Sequence, residues 1–214
     1  MTADRITDEV SILLSGQAGQ GIQTIQAMLM HACLKDGYHV FATKEYMSRI
    51  RGGVNTTRLR IASYPIRTTV FHTDLFIPLT SEMTDHLQSF LSEDTFIMGD
   101  NEHVELNGIV NVPFTRIAED FGNKLYANSV AVGVLCGILE VQEEALTATV
   151  TEHFEHKADD VIQANVEAAR KGRSISSEMQ ERPLVEIERN PTSRANLLLS
   201  GGQIYFEDEP EIGR

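Results

Sequence analysis

Cysteine is scarce in this sequence, with two residues, Cys33 and Cys136, among 214. An iron–sulfur cluster usually takes four cysteine ligands, and the chain has neither four cysteines nor a Cys-x-x-Cys pair. Both cysteines lie in apolar stretches with helical spacing, which favours buried thiols in a reducing compartment. We therefore expect a cytoplasmic protein that binds no metal and no cofactor on its own.

Long apolar runs and known catalytic motifs are also missing. No run approaches the roughly 20 residues that a membrane span needs, and the polar start MTADRITDEV lacks the apolar stretch of a secretory signal. The seven histidines are scattered, without a His-Glu-x-x-His helix, and no Gly-x-Ser-x-Gly elbow occurs. The sequence predicts a soluble protein with no membrane contact and no catalytic residues of its own.

Positive charge is in short supply, with 18 Lys and Arg against 31 Asp and Glu and a formal net charge of −13. This acidic balance argues against a nucleic-acid partner. One segment, residues 44–67, nevertheless carries six basic residues against a single acid, Glu45. They are Lys44, Arg49, Arg51, Arg58, Arg60 and Arg67.

The basic segment contains the run Arg49-Ile50-Arg51-Gly52-Gly53. Two residues without side chains would let a phosphate or carboxylate approach the backbone while guanidinium groups hold it. The segment therefore indicates an anion-recognition loop. The alternative is a strand pair whose arginines lie along a solvated sheet face.

Short apolar runs alternate with helical patterns along the chain, which predicts an α/β fold with a mostly parallel sheet. We expect a Rossmann-like domain of three layers, with helices on both faces of the sheet. Strands are predicted near 11–15, 38–43, 54–61, 75–79, 95–98 and 109–112, with a short strand at 65–67. Helices are predicted at 22–34, 83–91, 113–121, 128–139, 142–157 and 159–172.

The patterns also divide the chain. Residues 1–172 are expected to form one domain, with Gly172 at its end, followed by a polar linker at 173–194 and a short tail at 195–214. The stretch 128–139 is apolar on all sides and holds two glycines four residues apart, Gly133 and Gly137. It predicts a helix buried against another backbone, in the core or at a subunit interface.

A glycine-rich turn, GQAGQG at residues 16–21, joins the first main strand to the first helix in a βαβ pattern. Its glycines do not match Gly-x-Gly-x-x-Gly, and no Gly-Lys-Ser/Thr follows. The turn indicates either tight strand–helix packing or a ligand contact. Like the basic loop, it follows the carboxyl end of a strand, where open α/β sheets bind ligands.

The GQAGQG turn and the run KEYMSRIRGG at 44–53 together resemble the gamma domain of the 2-oxoacid:ferredoxin oxidoreductases, over roughly residues 10–172. The second motif is most similar to gamma domains fused ahead of the alpha subunit in 2-oxoglutarate-type enzymes. Residues 197–201, LLLSG, resemble the start of such an alpha domain. Since the chain stops at Arg214, we expect a fragment, a natural short form or a reused tail.

This resemblance implies the gamma component of a thiamine-diphosphate enzyme that oxidatively decarboxylates a 2-oxoacid, with 2-oxoglutarate favoured, to an acyl-CoA. Thiamine diphosphate, Mg and the iron–sulfur cluster would lie on alpha- and beta-type partner subunits, with coenzyme A as co-substrate and ferredoxin as electron acceptor. The isolated chain would be inactive. A different class of function stays open, a stand-alone regulatory module that binds coenzyme A or a nucleotide.

The resemblance also implies roles for single residues. Lys44 would help to hold the carboxylate of the 2-oxoacid, and Arg49 and Arg51 would contact phosphate or carboxylate groups or dock the domain on the alpha subunit. The implied substrate-binding residues are Lys44, Tyr46, Ser48, Arg49 and Arg51. The residues implied to lie near coenzyme A or the cofactor are Gly16, Gly19, Gln20, Gly21, Gly52 and Gly53.

Overall fold

The computed structural model describes residues 5–45, 53–180 and 182–189. The strands are β1 Arg5–Thr7, β2 Glu9–Gly16, β3 His39–Glu45, β4 Asn55–Ala62, β5 Leu75–Pro78, β6 Phe96–Gly99, β7 Val110–Asn111 and β8 Leu184–Glu186. The helices are α1 Ile22–Lys35, α2 Asp85–Gln88, α3 Phe114–Glu119, α4 Ala127–Ile138, α5 Glu143–His153 and α6 Asp159–Glu178, with a 3₁₀ turn at Lys124–Tyr126. The predicted α/β class is confirmed.

Six strands form the central sheet, in the order β3-β4-β2-β5-β6-β7. From β2 to β7 every pair is parallel, whereas β4 runs antiparallel to both β2 and β3. The prediction of a mostly parallel sheet is thus confirmed. Because β4 is antiparallel to both of its neighbours, β3 runs the same way as β2. The predicted βαβ unit is present in a split form, with β4 between its two strands.

The first face of the sheet carries the main hydrophobic core. Val10, Ile12 and Leu14 alternate along β2 and are no more than 1% exposed. They belong to the same cluster as the buried face of α1 and most of α4. No helix in the described ranges has the length and apolar composition that a membrane crossing requires.

Helices α4 and α6 touch backbone to backbone at glycines. A Cβ atom on Gly133 would lie 1.9 Å from the carbonyl oxygen of Ala169, and one on Gly172 would lie 2.2 Å from that of Val130. The close approach predicted at the α4 glycines is therefore present, and the neighbouring backbone belongs to the same chain. The apolar α4 is a core helix.

The second face of the sheet is covered more thinly. Leu13 and Phe76 of the sheet pack there against Leu87 and Phe90, in and just after the one-turn helix α2. Helices accordingly lie on both faces, as predicted for a three-layer domain, but the second layer is small.

The sequence prediction is wrong at the end of the domain. Gly172 was expected to stop a helix, but α6 continues to Glu178, because Gly172 is needed inside the helix for contact with α4. Residues 173–194 were expected to be an irregular linker, yet β8 pairs in parallel with β1. The folded unit therefore reaches residue 186. Residues 190–194 of the expected linker, and the tail at 195–214, lie outside the described residues.

Two further elements differ from prediction. Residues 65–67 form no strand. Pro65 has no N–H for a strand ladder, and the guanidinium of Arg60 instead holds this segment by donating from Nη1 to the Thr68 carbonyl at 2.6 Å. The helix expected at 83–91 is the shorter α2, whose N-cap is Thr84.

Candidate functional site

The glycine turn and both flanks of the predicted anion loop meet at one edge of the sheet. Gly16, the last residue of β2, pairs with Asn55 at the start of β4. Glu45, the last residue of β3, pairs with Thr56 beside it. This is the carboxyl edge of the parallel strands, where ligands bind in open α/β sheets. Of the predicted loop residues, Tyr46, Ser48, Arg49, Arg51 and Gly52 lie outside the described residues, and Gly53 is half-buried.

The turn after β2 has local reasons for its glycines. Gly19 and Gly21 have φ angles of 90° and 85°, in the left-handed region that favours glycine. A Cβ atom on Gly16 would lie 2.8 Å from Oε1 of Gln20. That Oε1 atom accepts a hydrogen bond from the backbone N–H of Gln17 at 2.6 Å. Packing and turn geometry thus account for the glycines, and the exposed turn lies at the rim of this edge.

Asn128 brings the first turn of α4 into contact with the glycine turn. A Cβ atom on Gly21 would lie 2.0 Å from Nδ2 of Asn128, which belongs to the first turn of α4. Gly21 itself is the N-cap of α1, where no side chain caps the helix and no acid lies in the first turn. The positive end of the α1 dipole therefore lies at this turn, an arrangement that favours an anion. Sequence reasoning missed Asn128, although a polar residue starting an apolar helix was a visible signal.

Lys44 lies at the same edge as the turn and on the same face as α1. It is exposed and pairs with Thr57, whose other neighbour across the sheet is Leu14 of the main core. Side chains alternate along a strand, so Lys44 shares the face of Leu14, whereas the adjacent Glu45 lies on the other face. Lys44 is accordingly an exposed cation at this edge, on the face that carries α1 and two strands away from the turn.

Glu45 is held on the second face by two partners. Its carboxylate accepts a hydrogen bond from Nη2 of Arg58 at 2.7 Å and lies 2.8 Å from Nε2 of His86. Burial alone would raise the pKa of Glu45, but the His86 hydrogen bond and the Arg58 charge outweigh it and lower this pKa. The Arg58 guanidinium also stacks over the Phe90 ring, 4.6 Å from its centroid. The end of β3 is thereby fixed to the α2 layer.

The described basic residues of segment 44–67 do not form one patch. Arg58 and Arg60 lie on the second face of the sheet, with side chains 17% and 11% exposed. The guanidinium of Arg60 forms an ion pair with the Glu9 carboxylate. Arg67 is exposed beyond the far end of β4. The alternative that arginines lie along a sheet face is right for Arg58 and Arg60, although both are mostly buried and ion-paired rather than solvated.

A cavity beside Arg58 and Arg60 is too small for a substrate. Its volume is about 10 Å³, and its lining includes Ser11, His72 and Thr73. That volume holds about one water molecule. Three guanidinium nitrogens of these two arginines have no hydrogen-bond partner among the described residues, so a water molecule there would satisfy polar groups of the protein.

Metal ligands are not grouped in the described part of the chain, where no three His, Cys, Asp or Glu side chains come together. Cys33 and Cys136 are both buried, and burial raises the pKa of both thiols. Protonated core thiols do not bind metal ions. The residues present therefore do not fit an iron–sulfur cluster.

A family model described as pyruvate ferredoxin/flavodoxin oxidoreductase matches residues 11–175. The chain belongs to this family of oxidoreductases. It is 25% identical over 158 residues to the 2-oxoglutarate synthase subunit KorC of Archaeoglobus fulgidus, covering 73% of this chain and 84% of that relative. The similarity recognised in the two sequence motifs is thus confirmed.

Solved structures of the same family share the fold. The 2-oxoglutarate:ferredoxin oxidoreductase from Magnetococcus marinus, with 2-oxoglutarate, coenzyme A and succinyl-CoA bound, has a TM-score of 0.74 at 20% identity, over 85% of this chain. This chain spans about a third of the length of that one, at 33%. The gamma subunit of a keto/oxoacid ferredoxin oxidoreductase from Geobacter sulfurreducens has a TM-score of 0.63 at 21% identity, covering 79% of this chain and 99% of its own. The fold is that of the gamma subunits.

Proposed function

We propose that this chain is the gamma component of a thiamine-dependent 2-oxoacid:ferredoxin oxidoreductase, with 2-oxoglutarate as the favoured substrate. The observation that carries the proposal is the carboxyl edge of the sheet, which holds the exposed Lys44, the turn at 16–21 and the N-terminus of α1. Such an edge suits a ligand with carboxylate or phosphate groups. The relative named as a 2-oxoglutarate synthase subunit supports the choice of substrate.

Each group at the edge has a part in this proposal. Lys44 donates a charge-assisted hydrogen bond to the 2-oxoacid carboxylate, with Tyr46, Ser48, Arg49 and Arg51 as further substrate contacts. The turn residues Gly16, Gly19, Gln20 and Gly21, with Gly52 and Gly53, lie near coenzyme A or the cofactor. Thiamine diphosphate with Mg²⁺, and iron–sulfur clusters, would supply carbanion stabilisation and electron transfer from alpha- and beta-type partner subunits.

Reconstitution tests this function directly. The chain is used as bait in its native source, the captured subunits are identified by mass spectrometry, and the purified complex is assayed for 2-oxoacid-dependent reduction of ferredoxin. We expect alpha- and beta-type subunits in the complex, and loss of activity when this chain is left out. Activity that is unchanged without the chain would contradict the proposal.

A second candidate is a stand-alone module that binds coenzyme A or a nucleotide. The observation that favours it is the turn at 16–21 with the N-terminus of α1, which this chain completes by itself. Calorimetric titration of the isolated chain with coenzyme A or ATP separates the two functions. Tight binding without any captured partner supports the module, whereas capture of partners without binding by the free chain supports the gamma component.

A further inference from the structure

Among the residues that the structure describes, β3 is an edge strand of the central sheet. It has seven residues and pairs with β4 on one side, while no described strand pairs with its other side. The opposite edge strand, β7, has two residues. Natural proteins protect sheet edges by shortening the strand or by placing a proline or a bulge in it. β7 has the first of these protections. β3 has none of the three, and Lys44 is the exposed charge that it carries.

The geometry of β3 suits pairing with another strand. Its register with β4 is continuous from His39 opposite Ala62 to Glu45 opposite Thr56, so no bulge interrupts it. Six of its seven residues are half-buried and Lys44 is exposed. Val40 and Ala42 pack against the main core, and the strand keeps part of its surface exposed, as expected for the outermost strand of a sheet.

We infer that β3 pairs antiparallel with β3 of a second copy of this chain, centred on Ala42, so that two six-stranded sheets become one. In this register His39 of one copy lies opposite Glu45 of the other, which places opposite charges together when the histidine is protonated. Phe41 then lies opposite Thr43, and the small side chain of Ala42 faces its own copy on the two-fold axis. A strand that complements itself makes an isologous interface. The inference does not depend on the proposed function.

Charge and position agree with this interface. Glu45 receives its intramolecular contacts from Arg58 on β4 and from His86 at α2, both on the inner side of β3. Its carboxylate oxygens can each accept a further hydrogen bond from the outer side. Opposite-charge pairs directly across two strands stabilise a sheet, and the symmetry supplies this pair twice.

A cysteine at the axis tests the register. The chain's own cysteines are both buried, so Ala42→Cys introduces the single accessible thiol. Directly opposite residues in an antiparallel pair have Cα atoms about 4.5–5.5 Å apart, within the range of a disulfide. We expect rapid disulfide-linked dimer under mild oxidation. Val40→Cys is the matched control, because its two copies would lie about 13 Å apart along the strands and should not link. Equal linking of both variants, or of neither, overturns the proposed pairing.

A charge variant tests the same interface without a thiol. The dissociation constant of the full chain is measured by sedimentation velocity for wild type, His39→Glu and His31→Glu. His39→Glu sets two acids opposite each other twice and should weaken the dimer about tenfold. His31 is exposed on α1, so the same substitution there should leave the dimer unchanged. A monomeric wild-type chain, or equal weakening by both variants, overturns the inference. Protection of the thiol introduced by Ala42→Cys by a captured partner subunit, in place of a second copy, would overturn it as well.

Discussion

Glu45 and His86 lie 41 residues apart in the sequence, and their side chains meet at 2.8 Å. The contact joins the last residue of β3 to α2, on the face opposite Lys44. The end of the strand that presents Lys44 is therefore fixed by a carboxylate that is not itself at the candidate site. Arg58 completes the arrangement from the neighbouring strand at 2.7 Å.

This contact predicts an acid sensitivity. The pKa of Glu45 is lowered from its ordinary value of 4.5, so the ionised form is favoured in the folded state. Its contribution to stability is complete above pH 4.5 and is lost as the pH falls through the lowered pKa. Glu45→Gln should therefore flatten the decline in unfolding free energy below pH 4.5, measured by urea titration at several pH values.

The control for that experiment is Glu93→Gln, since Glu93 is exposed. This variant should keep the wild-type pH dependence. If the unfolding free energies of Glu45→Gln and wild type fall with the same slope below pH 4.5, the lowered pKa of Glu45 does not contribute to stability.

The backbone contact between α4 and α6 predicts that alanine at position 172 is less stable than glycine, the reverse of the usual preference in a helix. Alanine normally stabilises a helix by about 1 kcal/mol relative to glycine. At Gly172 a Cβ atom would meet the Val130 carbonyl oxygen at 2.2 Å, so the helices would have to separate. Overpacking of this kind costs roughly 1–3 kcal/mol or more. Gly172→Ala should therefore lower the unfolding free energy in urea titration by at least about 1 kcal/mol.

Lys171→Ala is the matched control, because Lys171 is the preceding residue of α6 and is exposed. Surface changes of this type stay within about 0.5 kcal/mol. A Gly172→Ala variant as stable as Lys171→Ala would mean that α4 and α6 are not in backbone contact.

Gly172 also marks where sequence reasoning about the fold fails. A glycine after an amphipathic pattern is a common helix end, but glycine is also found inside helices that approach another backbone closely. Only the tertiary structure shows which of these two roles a given glycine has. The six strands of the central sheet were predicted to within a few residues because apolar runs are local signals, whereas β1 and β8 were not predicted. The insertion of β4 between β2 and β3 is a long-range pairing, which local periodicity does not contain.

The candidate site, too, could be predicted only in part from the sequence. Placing the turn at 16–21 and Lys44 at one edge needed only the rule that ligand sites lie at the carboxyl ends of parallel strands. Asn128 and His86 come from distant parts of the chain, so their contacts with Gly21 and Glu45 required the tertiary structure. The number of basic residues in segment 44–67 did not distinguish the exposed Lys44 from the ion-paired Arg58. Side chains alternate along the strands, so these two residues lie on opposite faces of the sheet.

The cysteines offer a test of the core. Cys33 and Cys136 are buried, and burial raises the pKa of both thiols, so neither supplies thiolate at neutral pH. The native protein should react with an aromatic disulfide reagent only as fast as it opens, whereas both cysteines should react at once in denaturant. Fast labelling of either cysteine in native buffer would contradict their place in the core.

Lys44 gives the sharpest test of the proposed site. In the reconstituted complex, Lys44→Ala removes a charge-assisted contact to the 2-oxoacid carboxylate. Such contacts contribute about 1.5–3 kcal/mol, so the apparent KM for the 2-oxoacid should rise roughly ten- to a hundredfold. Lys44→Arg should restore only part of the affinity, because the planar guanidinium of arginine and the compact ammonium of lysine differ in geometry.

The control for Lys44→Ala is again Lys171→Ala, which removes an equal charge from an exposed position on α6. Assembly of each variant complex is checked by gel filtration before the assay, so that a docking defect is separated from a substrate defect. A control complex with an unchanged KM assigns the effect of Lys44 to its position rather than to net charge. A Lys44→Ala complex that assembles normally and keeps the wild-type dependence on 2-oxoacid would remove Lys44 from the substrate site and leave the strand end with a docking role alone.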